Sequence, residues 1–220
     1  MFAATDPHLA ALSVDSWLEA LASAQPAPGG GAAAALAAAA GAALIEMVCR
    51  FSTGREQFTT WAEQIATTLT MAGQLHQELL ATMDADAAAF AAVTAAHSLP
   101  RSGKQERALR RQVVDDALAA AAAPPLQVAA TAATLAELAL ALVGRTNAQL
   151  VSDLGAAGAL LEAAMRIAGY NVEANTRALK ADPRAAALHE QLTATRSKAE
   201  QHLRELRTSV EQALSGDRLA

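Results

Sequence analysis

Apolar residues recur at steps of three or four along most of this chain, which is the period of one face of an α-helix. The most regular run is Ile65, Leu69, Ala72, Leu75, Leu79, Met83, Asp86, Phe90, Val93 and His97, all on one face of a helix predicted over 56–98 and stopped by Pro100. Asp86 is the polar exception in that run. A carboxylate on a core face is costly unless it is paired or lines a polar cavity, so Asp86 needs a reason to be there. Asp84 lies about 200° round the same helix and should face solvent.

The same pattern divides the rest of the chain. Residues 1–12 show no clear period. Ser13 caps a short helix carrying Val14, Trp17, Leu18 and Leu21, which ends near Ser23. Pro26 and Pro28 lead into Gly29, Gly30 and Gly31, a flexible corner that feeds an alanine-rich helix reaching about Phe51, with Thr53 and Gly54 closing it. A helix over 105–123 is broken or kinked by Pro124 and Pro125, and the next ends at Gly144. Asn147 leads into a helix over 148–181 whose apolar stripe contains Asn175. Asp182 and Pro183 open the last helix. The predicted fold is all-α, an elongated bundle of long, alanine-rich helices forming a single domain over 1–220.

Composition sharpens this picture. Hydrophobic residues make up 53% of the chain and aromatic residues only 3%, which suits closely packed helices and leaves little room for strand. The formal net charge of -5, with no Lys/Arg cluster expected, argues against nucleic acid or an anionic membrane as partner. The apolar run 32–45 is shorter than the roughly 20 residues of a membrane span and ends in Glu46 and Arg50, so it reads as a buried helix. Cys49 is the single cysteine, and the N-terminus lacks a signal-peptide pattern, so the cytoplasm is the expected compartment.

Three features could carry chemistry. The 29–31 corner is either a tight interhelix turn or an anion site, because backbone N–H groups at a helix start are unpaired and the helix dipole makes that end positive. Asp86 is either a buried, capped carboxylate or a ligand-facing one. Asn147, Ser152 and Asp153 read as a helix start or a polar site, and Asn171 and Asn175, four apart, as interhelical hydrogen bonds or ligand contacts. His8, His76, His97, His189 and His202 are scattered, with no metal-ligand spacing, so no metal is expected. Nucleophile-elbow, phosphate-loop and dinucleotide patterns are missing as well.

Several segments resemble one family. Residues 17–23 followed by Pro26, Ala27, Pro28 and the three glycines look like the opening of the formiminotransferase-cyclodeaminase and methenyltetrahydrofolate cyclohydrolase family. Asp84, Asp86, Ala87 and Phe90 resemble its Asp-x-Asp-Ala-x-Ala-Phe segment, residues 125–129 its Pro-Leu-x-Val-Ala, and Asn147 with Ser152 and Asp153 its Asn-Ala-x-Ser-Asp region. The chain departs from the pattern at Ala32, where serine is usual, and at Glu173, where arginine is usual.

The resemblance implies a tetrahydrofolate derivative as substrate, no metal, and a homodimer or larger homo-oligomer. It implies hydrolysis of 5,10-methenyltetrahydrofolate or, alternatively, cyclodeaminase chemistry on the formimino compound. It also implies Asp86 as catalytic group, with Pro28, Gly29, Gly30, Gly31, Asn147, Ser152, Asp153, Asn171 and Asn175 binding substrate. The corner would then hold the folate's glutamate carboxylates or pterin carbonyl. A non-catalytic binding or assembly protein on the same scaffold is the rival reading.

Overall fold

Residues 8–180 and 182–215 are described by a computed structural model, and the expectations for 1–7, 181 and 216–220 lie outside the described residues. Seven α-helices account for most of it: α1 (Val14–Ala22), α2 (Gly30–Ser52), α3 (Ala62–His97), α4 (Lys104–Ala121), α5 (Ala123–Leu142), α6 (Val151–Leu179) and α7 (Pro183–Ser215). No strand occurs among the described residues. The all-α expectation holds, and at about 1.5 Å per residue α3 and α7 each run to about 50 Å, so the bundle is long.

Small residues put α2 at the centre. Its alanines pack with no Cβ branches to hold neighbours away, and Ala32, Ala34, Ala35, Ala38 and Ala42 are wholly buried. Helices α3, α5 and α6 all pack on it, and α7 covers α5 and α6. At Gly41 a Cβ would stand 3.1 Å from Leu161 Cγ, so α6 approaches closely there. The single large core contains Ile45, Leu79, Leu135, Leu161 and Leu206.

Helix boundaries follow local chemistry. Ser13 Oγ accepts from Ser16 N–H at 3.2 Å and starts α1, and Asp182 Oδ1 accepts from Arg184 N–H at 2.9 Å and starts α7. Gly54 and Gly144 adopt positive φ just past the ends of α2 and α5. Prolines 124 and 125 kink the chain instead of stopping it, because both sit in the first turn of α5, where a missing N–H is tolerated.

Three expectations are corrected. The helix predicted over 56–98 is divided, with a 3₁₀ turn at Glu56–Trp61 preceding α3. Asp84 does not simply face solvent: it accepts from Leu9 N–H at 2.8 Å and meets His8 Nδ1 at 2.8 Å, pinning the N-terminal segment to α3. The argument from the shortness of 32–45 fails, since α2 has 23 residues and is one of three stretches long and apolar enough to cross a membrane by length and composition. Packing buries α2 here, whatever its length would permit.

The α3 stripe is covered only in part. Ile65, Ala72, Leu79 and Met83 are buried, whereas Phe90 is 49% exposed. The reason is geometric. Helix α2 begins opposite Asp86, so α3 overhangs it, and beyond that point α3 rests on α4 with a small separate core of Ala96, Val114, Leu118 and Leu179.

Candidate functional site

Asp86 faces the first turn of α2. A Cβ built on Gly31 would overlap the Asp86 carboxylate, so only glycine permits this approach of side chain to backbone. The residues expected to form a docking corner and those expected to carry chemistry therefore occupy one place. The Asp86 carboxylate itself lies against the positive helix end.

Two opposing effects act on Asp86. Burial among apolar helix faces pushes its carboxyl above the ordinary value of 3.8, and the backbone N–H of Ala32 lowers it in part. Burial prevails. The group is half-buried, which suits a carboxylate that exchanges a proton with a bound molecule.

Asn171 completes the corner from α6. A Cβ at Gly30 would stand 3.4 Å from Asn171 Nδ2, which donates to Ile167 O at 2.9 Å within its own helix. Pro28 is buried beneath the corner, and Gly29, the α2 N-cap, has open space around it. Trp17, on the helix leading into this corner, has its Nε1 buried without a hydrogen-bond partner. An indole N–H lacking a partner is unusual in a packed core.

Asn175 has a structural task. Its Nδ2 donates to Ala121 O at 3.0 Å, and Ala121 O would otherwise await the N–H of residue 125, which is a proline. Asn175 thus repairs the α4–α5 kink.

Asn147, Ser152 and Asp153 lie elsewhere. Asn147 N–H donates to Ser52 Oγ at 3.1 Å, at the opposite end of α2. Ser52 is 21 residues from Gly31, about 30 Å along the helix. Asn147 Oδ1 accepts from Gln149 N–H at 3.1 Å and so starts the 3₁₀ turn Ala148–Leu150, while Ser152 and Asp153 sit in the first turn of α6. Within one chain the expected site residues divide between two ends.

Other titratable groups have clearer roles. Cys49 is buried, and burial, with Glu46 nearby, pushes its thiol up to about 12, so it is not a nucleophile at neutral pH. Glu46 ties α2 to α3 through His76 Nδ1 at 2.9 Å and binds Arg50 at 2.9 Å. Among the described residues no three metal-type side chains come together.

A basic cluster is present that the acidic net charge conceals. Arg101, Arg107, Arg110, Arg111 and Lys180 line a cleft of about 470 Å³ with His97, beneath the overhanging ends of α3 and α6. This corrects the expectation that no Lys/Arg cluster exists. The signal was the helical spacing of Lys104, Arg107 and Arg111, with Arg101 just ahead.

Residues 13–211 match the family model described as formiminotransferase-cyclodeaminase. A methenyltetrahydrofolate cyclohydrolase of Methylorubrum extorquens is 31% identical over 167 residues, covering 76% of this chain and 80% of that one. A formimidoyltransferase-cyclodeaminase of Rattus norvegicus is 33% identical over 170 residues, covering 77% of this chain but only 31% of its own length. The crystal structure of a formiminotetrahydrofolate cyclodeaminase from Thermotoga maritima superposes with a TM-score of 0.84 at 23% identity, covering 93% of this chain and 98% of that one.

Proposed function

We propose, from the premise that this chain belongs to the formiminotransferase-cyclodeaminase family, that it is a folate-dependent one-carbon enzyme hydrolysing 5,10-methenyltetrahydrofolate to 10-formyltetrahydrofolate. The observation that carries the reading is the half-buried Asp86 carboxylate held against Gly31. In this reaction water adds to a cationic carbon between two nitrogens, giving a tetrahedral intermediate that opens as one carbon–nitrogen bond breaks. An anion beside that cation stabilises it, and the carboxylate, its pKa raised, takes one proton from water and returns it to the departing nitrogen, while the remaining hydroxyl proton is released to solvent as the formyl carbonyl forms. In this reading Asn171, beside Gly30, orients the ligand through its amide.

The M. extorquens relative favours the hydrolytic direction, because this chain spans most of its length. The cyclodeaminase reaction is the second reading, favoured by the 33% identity to the R. norvegicus formimidoyltransferase-cyclodeaminase. It needs the same groups, since a formimino carbon attacked by N10 passes through a similar tetrahedral centre. The test follows both substrates with purified protein, by loss of methenyl absorbance and by ammonia release. Methenyl hydrolysis without ammonia release supports the first reading, ammonia release the second, and neither supports the non-catalytic rival.

We further infer a homo-oligomer. Only 22% of the most apolar stretch of 56–97 is buried within one chain, against 56% for that of α2, and Met71 and Phe90 stand exposed along α3. Light scattering of the eluted protein should give at least twice the 22.6 kDa chain mass. Cytoplasmic residence and function without a metal stay part of the same proposal.

A further inference from the structure

We propose that the cleft between α3, α4 and α6 binds a short phosphate chain, of the kind found in pyrophosphate or a nucleoside triphosphate, at a site independent of the folate reading above. Charge is the first argument. Five permanent cations, Arg101, Arg107, Arg110, Arg111 and Lys180, line this cleft with one carboxylate, Asp115, in a chain that is acidic overall. Such a concentration in a concave place gathers an anion of several charges.

The fold itself makes firm use of one of the five. Arg110 donates to His97 O at 2.8 Å and closes the C-terminal end of α3. Arg111 reaches Asp115 only at 3.9 Å, and Arg107 meets Ser102 O at 3.4 Å. Arg101 and Lys180 make no ion pair or side-chain hydrogen bond among the described residues. The groove between α6 and α7 provides the contrast, because Arg196, Arg204 and Arg207 there pair with Glu200 and Glu162. Cations gathered without partners repel one another, and a multivalent anion removes that repulsion.

The kind of anion follows from the side chains and their order. Arg107, Arg110, Arg111, Val114 and Leu118 fall at helical spacing on one face of α4, so the cleft is cationic at one end and apolar at the other, where Leu179 joins from α6. Four of the five cations are arginines, whose planar forks bond phosphate oxygens in pairs. A tetrahedral phosphate offers such edges on several sides, so guanidinium groups converge on it from different helices; a planar carboxylate does not. The apolar end suits the base of a nucleotide, and a space of about 470 Å³ is within the range of small-molecule sites. Backbone N–H groups take no part. Glu106 accepts from Ser102 N–H at 2.8 Å and Gly103 N–H at 3.3 Å, which fills the start of α4 and leaves recognition to side chains.

Calorimetric titration of the full chain in magnesium-free buffer tests the assignment. The probes are ATP, tripolyphosphate, pyrophosphate, inorganic phosphate and citrate, the last chosen to match pyrophosphate in charge. Tripolyphosphate should bind at least about tenfold more tightly than phosphate, and pyrophosphate at least about fivefold more tightly than citrate. ATP binding above tripolyphosphate identifies the ligand as a nucleotide, and equal binding identifies it as the free phosphate chain. In Arg101→Gln/Lys180→Gln, an exposed pair whose folding is checked by thermal melting, tripolyphosphate affinity should fall about tenfold. Arg101→Lys/Lys180→Arg should keep most of it, and Arg196→Gln, in the other groove, should leave it unchanged.

Citrate binding as tightly as pyrophosphate overturns the proposal, and so does a failure of tripolyphosphate to bind. An affinity unchanged in the neutral pair, or reduced as much by Arg196→Gln, overturns it too, since the attraction would then belong to the surface and not to the cleft.

Discussion

The two ends of α2 differ in how their polar groups are satisfied. At the C-terminal end Ser52 Oγ donates to Val48 O at 2.9 Å and accepts from Asn147 N–H, and Arg145 bonds Gln64 at 3.1 Å while lying over the Trp61 ring. At the N-terminal end a carboxylate is held above its ordinary pKa, a tryptophan N–H is buried without a partner, and Asn171 uses its amide only within its own helix. The first end is tied together through Ser52 and the Asn147 backbone, while Asn147 Nδ2, Ser152 and Asp153 beside it make no side-chain hydrogen bond among the described residues. Under the proposed function the second end holds a carboxylate that must meet a ligand, so its polar groups are the ones to test first.

The sharpest way to break this comparison is Asp86→Asn. Turnover should fall by about 10² to 10⁴-fold if Asp86 moves a proton, and unchanged turnover would remove it from the mechanism. Stability should move the other way. Because the folded pKa of Asp86 lies above its unfolded value of 3.8, the native state holds the proton more tightly; that contribution is present below 3.8 and is lost as pH rises through the folded value. The asparagine variant lacks this dependence, so urea melts should show it gaining on wild type from acid to neutral pH.

Gly31→Ala comes next. Its Cβ must displace the Asp86 carboxylate, so turnover should drop by about a hundredfold, with a loss of about 1–3 kcal/mol from overpacking. Ser52→Ala tests the opposite end. It leaves the part-buried Asn147 N–H without its acceptor at a cost of about 1 kcal/mol in denaturant melts, and turnover should stay within about twofold of wild type. The smallest effect belongs to Gly29→Ala, where a Cβ meets open space and φ is an ordinary -131°; stability should change by about 0.5 kcal/mol or less. A large loss there would show that the corner needs glycine for flexibility and not only for room at Gly31.

Much of this was readable one residue at a time. Helical period located all seven helices, although it ran α3 together with the 3₁₀ turn at Glu56–Trp61, and Ser13, Gly54, Gly144 and Asp182 marked ends where expected, because caps and turns depend on neighbours in the chain. Asp86 stood out because nine companions on its face were not carboxylates. Asn147 and Asn175 were harder: a polar side chain on a helix looks the same in sequence whether it repairs a proline-freed carbonyl, starts a turn or meets a ligand.

By itself the sequence determined an all-helical chain with a glycine corner before an alanine helix and one misplaced carboxylate, since helix period and turn chemistry are local properties. The tertiary structure alone decided that the carboxylate and the corner coincide, that Asn147 lies about 30 Å from both, and that α3 overhangs α2 to open a basic cleft. These depend on how far antiparallel helices slide past one another, which side-chain packing along their whole length sets and no short motif records.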